Sequence, residues 1–206
     1  MKTITTLLAA MAFTISACNQ VKKTDEKMDH SMAHEPTKAG NVMMDAMDES
    51  MIAMHKAKQT GNADYDFASM MIPHHEGAIK MAEAVVKQGK SVALIDFSNK
   101  VIVAQQSEIA MLEDFLKSAS QEPIKNTAEF KKAMDASMTP MMDGMSKVTL
   151  TWDIDKDFVA LMIPHHQSAV DMAKGYLPFA NNAKIKAIAE QILKAQEKEI
   201  KWLQKQ

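Results

Sequence analysis

Three patterns of hydrophobic and polar positions succeed one another along the chain. Ile4 to Ile15 form a short apolar run behind a single positive charge, Lys2. From 19 to about 40 no apolar face recurs: Lys22, Lys23, Asp25, Glu26 and Lys27 are charged, and Pro36 and Gly40 break regular structure. From Asn41 onward apolar residues return at helical spacing, and Gly and Pro are few. Breaks at Gly61-Asn62, Gly89-Lys90, Pro123 and Leu177-Pro178 cut this stretch into helices at about 42–59, 65–88, 91–118, 128–147, 155–175 and 182–205. Asp64 and Asp155 stand near two of the starts and are the expected N-caps.

The pattern also repeats. Asp66 to Ala82 recurs 91 positions later as Asp157 to Ala173, with ten of seventeen residues identical. The same offset carries Ala104-Gln105, Glu108-Ile109 and Leu112 onto Ala195-Gln196, Glu199-Ile200 and Leu203. It also carries Met43, Met47, Met51 and Met54 onto Met134, Met138, Met142 and Met145. One register throughout means a duplicated unit, roughly 41–115 and 132–206, each of three helices. The expected fold is all-α: the four longer helices form an antiparallel bundle, with the Met-rich helices beside it.

Composition adds a location. The run Ile4–Ile15 is too short to stay across a bilayer and reads as a signal peptide over 1–17. Ile15-Ser16-Ala17-Cys18 resembles a lipobox, so Cys18 is the expected lipidated residue and 18–40 a Met/His-bearing tether to the membrane. Cys18 is the single cysteine, which leaves none for a disulfide or a thiolate metal site. The formal charge is −2, all 24 basic residues are lysine, and aromatics are only 5% of the chain, a balance that argues against nucleic acid as a partner.

Methionine is the anomaly, at 20 residues, because a core needs little of so flexible a side chain. The repeat centres on Met-Ile-Pro-His-His. His74 and Met81 share a helix face, with the small Ala78 between them, and Met71 sits one turn before His74 and His75. Pro73 is placed to bend the helix so that the two adjacent histidines converge on one ion. The second copy offers Met162, His165, His166 and Met172 behind Pro164. A single buried histidine is usually a core residue, but adjacent pairs flanked by methionine in both halves point to metal. The stripe Met43, Met47, Met51, Met54 with His55, and its counterpart Met138, Met142, Met145, suits a core face as well as a ligand set. Met28, His30, Met32 and His34 alternate where no core exists, so packing does not explain them. Thioether with imidazole suits Cu(I) or Ag(I), and imidazole alone suits Cu(II) or zinc. Ile79 stands where a zinc protease needs its second histidine, and the Glu-x-x-His of di-iron bundles is replaced by Met71-x-x-His74. Glu108 and Glu199 are either positioning partners of a histidine or part of a solvated face.

The doubled Phe-x-x-x-Met-Ile-Pro-His-His-x-x-Ala-x-x-Met-Ala pattern resembles the bacterial exported "domain of unknown function 305" family, over about 41–206. The resemblance implies a ferritin-like four-helix fold made of two similar two-helix repeats, and copper binding as in some members. The expected function is that of an envelope copper- or silver-binding lipoprotein in metal buffering, resistance or transfer. Its partners would be metal ions, the membrane through Cys18 and a further copper-handling protein. The alternative is a metal oxidase on a ferritin-like scaffold, disfavoured because no paired carboxylates are evident.

Overall fold

The computed structural model describes residues 40–206. They form α1 (Val42–Lys56), α2 (Ala63–Gln88), α3 (Val92–Leu116), α4 (Thr127–Ser146), α5 (Ile154–Tyr176) and α6 (Ala183–Leu203), with a short 3-10 turn at Leu177–Phe179. The described residues are all-α, and each helix lies within about three residues of the range its periodicity predicts. Asn41, Asn62, Ser91, Asp153 and Asn182 cap helices with side-chain acceptors, satisfying amides that have no partner within the helix.

Asp64 and Asp155 are therefore not N-caps, contrary to expectation. They are the second residues of their helices and reach across the duplication instead. Asp64 accepts from the Tyr176 hydroxyl (2.6 Å) and from the amides of Asn181 and Asn182 (3.1 and 3.0 Å), just ahead of α6. Asp155 accepts from the amides of Lys90 and Ser91, both at 2.9 Å, just ahead of α3. Each half thus clasps the start of the other half's third helix. Burial, reinforced by the Asp64 carboxylate, raises the Tyr176 phenol above its ordinary value, so it stays a donor.

The repeated Asp66 and Asp157 close the loop ahead of their own helices. Asp66 accepts from the Thr60 amide and hydroxyl (2.7 and 2.8 Å) and the Gly61 amide (2.9 Å). Asp157 repeats this with Thr151 (2.7 and 2.8 Å) and Trp152 (3.0 Å). The loop needs a left-handed residue, Gly61 at φ 82° in one half and Trp152 at φ 64° in the other.

The central pair is α2 and α5. Helix α2 packs on α1, α3 and α5, and α5 packs on α4, α6 and α2. Buried apolar side chains fall into two clusters. Met81 of α2 joins Met162 of α5 in one, with Met43, Met47 and Met145. Met71 of α2 joins Met172 of α5 in the other, with Met54, Met70 and Met134. The early part of each central helix therefore meets the late part of its partner, as in an antiparallel pair related by a two-fold. Between the two clusters, at the midpoint of both helices, lie the histidines.

Candidate metal centre

His74, His75, His165 and His166 are all fully buried, at 0–1% exposure. The duplication determines who meets whom. Because α2 and α5 run antiparallel about their midpoints, residues at equivalent positions face each other: the rings of His74 and His165 lie 3.9 Å apart, centroid to centroid. The adjacent histidines keep the separation that two imidazoles have when they hold one near-linear ion, without a bend in the helix. Helix α2 runs unbroken through Pro73, and the His74 and His75 centroids stay 6.1 Å apart; those of His165 and His166 are 6.3 Å apart. About 100° of helix rotation separates neighbours and sends the second histidine of each pair toward the third helix.

There it meets a carboxylate. His75 Nε2 lies 2.9 Å from Glu108 Oε2, and His166 Nε2 lies 3.0 Å from Glu199 Oε2. Glu108 is buried and Glu199 is a quarter exposed, so neither belongs to a fully solvated face. In both cases the carboxylate sits beside the ring nitrogen but off the line of an N–H bond, so close approach does not complete a hydrogen bond.

His74 has one aligned partner. Its Nε2 is 2.6 Å from Ser168 Oγ, and Ser168 Oγ in turn donates its one proton to the His165 carbonyl at 2.7 Å. Ser168 Oγ must then accept, so His74 carries its proton on Nε2 and presents a bare lone pair at Nδ1. The equivalent of Ser168 in the first half is Gly77, where an added Cβ would stand 2.6 Å from the Ser50 Cβ; Ser50 instead donates to the Pro73 carbonyl at 2.9 Å. His165 therefore lacks the partner that His74 has. In all, seven buried ring nitrogens of the four histidines have no aligned hydrogen-bond partner.

Burial, and then the neighbouring imidazoles, hold His74 and His165 well below the ordinary histidine value. Both rings are neutral at neutral pH, the form a metal requires. Among the described residues no three His, Cys, Asp or Glu side chains converge into a ready nitrogen–oxygen cage. That leaves imidazole pairs with thioethers nearby, a donor set for soft ions that accept few ligands.

The predicted methionines divide by place. Met71, Met81, Met162 and Met172 are fully buried on either side of the histidines, in the two apolar clusters. Met43, Met47, Met54 and Met145 are also buried in those clusters, while Met51, Met138 and Met142 are half-buried and His55 is exposed. Cys18, Met28, His30, Met32 and His34 lie outside the described residues. Three further buried polar side chains are Gln105, Gln196 and Ser168. Gln105 and Gln196 sit one turn before Glu108 and Glu199 and have unpaired amide atoms. Their identity across the repeat was the available signal. Ser168 had none, since it breaks the repeat at Gly77.

The sequence matches the family described as "Domain of unknown function (DUF305)" over residues 7–116 and again over 64–206. The chain belongs to this family. The two matches share 64–116, as a duplicated helix pair allows. No protein of curated function matches the sequence. Among solved structures, CopM in the Cu(II)-bound form is 25% identical with a TM-score of 0.52, over 69% of this chain and 94% of that one. CopM in the Cu(I)-bound form is 26% identical with a TM-score of 0.51, over 69% and 93%. A DUF305 fragment from Deinococcus radiodurans shares the fold at 21% identity and a TM-score of 0.50, over 72% and 95%.

Proposed function

We propose that this DUF305 protein binds copper or silver at the histidine layer between α2 and α5. It would act in metal buffering, resistance or transfer at the bacterial envelope, anchored through Cys18. Seven buried ring nitrogens without an aligned hydrogen bond, only two of them beside a carboxylate, carry the reading. A buried polar atom without a partner costs about 1–3 kcal/mol, so a core holding this many has reason to keep them only if something binds there. The similar CopM structures, solved with Cu(I), Cu(II) and Ag, lend support from outside the chain.

In this reading the four histidines supply the lone pairs, with His74 and His165 bringing the two adjacent pairs together, and the thioethers of the flanking methionines favour the soft ion. Glu108 and Glu199 position His75 and His166. The protein binds metal and does not turn it over: the layer is sealed from solvent and offers no open position to a substrate.

Titration of the full chain with Ag(I) tests this. The doubly substituted His74→Asn, His165→Asn chain should lose a binding equivalent, and metal should raise the wild-type thermal midpoint more than the variant's. Equal stoichiometry and equal stabilisation would show that the layer is only core. Glu108→Gln keeps shape and burial and should weaken binding at the first half about 10- to 100-fold.

A further inference from the structure

An open cleft of about 300 Å³ lies at the end of α1, between it, the first turns of α2 and the first half of α4. It is separate from the histidine layer. Four methionines and one histidine are among its lining residues: Met54, Met70, Met134, Met138 and His55. We propose that this cleft is a second site for a soft monovalent cation, Cu(I) or Ag(I), held by these side chains and open to solvent.

His55 is preset for the role. Its Nδ1 is 2.8 Å from the Met51 carbonyl oxygen, which can only accept. The proton of the neutral ring is therefore on Nδ1, and Nε2 carries a free lone pair, the arrangement seen when a metal-binding histidine is oriented by a carbonyl. Met70 turns its sulfur toward the same space: Gln59, which also lines the cleft, places Nε2 3.9 Å from Met70 Sδ. The cation at the rim, Lys131, is paired with Asp135 at 2.9 Å and so does not oppose a bound ion.

The duplication supplies the control. At the opposite end, Met54, Met134 and Met138 have Met145, Met43 and Met47 as counterparts, so three methionines are common to both. Met70 is replaced by Leu161 and His55 by Ser146. Leu161 is fully buried, so leucine serves the core demand at this position. The two donors without a counterpart in the other half both occur at this cleft. This inference does not rest on the histidine layer.

The experiment is an Ag(I) titration of the full chain, followed by the methyl resonances of carbon-labelled methionine. Met54, Met70, Met134 and Met138 should shift together in one saturable step. That step should survive in the His74→Asn, His165→Asn chain. Met54→Leu with Met134→Leu nearly conserves volume and should abolish the step, removing one Ag(I) equivalent at unchanged helix content. His55→Gln, an exposed change that cannot disturb the core, should weaken the step at least tenfold at pH 7. The proposal fails if the four methyls move independently, if either variant binds as the wild type does, or if the step vanishes with the histidine layer.

Discussion

A histidine sealed from water must be neutral, and that makes His74 and His165 a liability in acid. Their folded-state values lie below the ordinary 6.5, so between those values and about 6.5 the unfolded chain binds more protons than the folded one. Their contribution is complete above about pH 6.5 and is lost as pH falls. Each adds a slope approaching about 1.4 kcal/mol per pH unit in that window. Urea melts of the metal-free protein at pH 7, 6 and 5 should show this loss; a flat profile would mean that the pair is wet or already charged. Trp152 offers a second test at this scale. It is exposed and stands at φ 64°, where its repeat partner is Gly61. A left-handed non-glycine residue costs roughly 1–2 kcal/mol, against a smaller entropy penalty for glycine. Trp152→Gly should therefore raise stability by up to about 1 kcal/mol in denaturant melts, despite removing a large apolar side chain.

Among the helices, the clasps across the duplication matter more than the caps. Asp153 is an ordinary N-cap bonded to the Lys156 amide at 3.2 Å, and Asp153→Ala should cost about 1 kcal/mol. Asp64→Ala strands the buried Tyr176 hydroxyl and two amides, and should cost about 2–3 kcal/mol. The ordering, measured by urea midpoint, is the sharper expectation. If Asp153→Ala proves the more damaging, α6 is held by packing alone. Separate local bonds explain why Asp66 and Asp157 open the repeated motif: each closes the turn ahead of its own helix, and neither needs a role at the metal.

For the whole molecule, the two halves are mutually dependent. The inner face of α2 meets α5, the His74 ring meets that of His165, and Asp64 holds the start of α6. A chain of residues 41–118 alone would expose that face and leave its histidines unmatched. It should be unfolded, or should dimerise about the same two-fold so that each His74 meets its own copy. Light scattering with circular dichroism distinguishes these outcomes, and a stable, fully helical monomer would contradict the mutual packing.

Helix number, extent and duplication were legible in the sequence, because helical periodicity and a register of 91 residues are local, countable properties. So were the four central histidines, since no ordinary core repeats adjacent pairs of them. Glu108 and Glu199 were legible only as alternatives, and the packing of α3 on α2 and α6 on α5 resolved them as neighbours of His75 and His166. Which histidine faces which was decided by tertiary structure alone. Sequence proximity puts His74 beside His75, and the antiparallel crossing of α2 and α5 adds His165, 91 residues away, against the His74 ring. The same holds for Asp64 and Asp155, whose partners lie in the other half. Local spacing encodes the helices and their donors; only the packing of one copy against the other sets the pairs that those donors form.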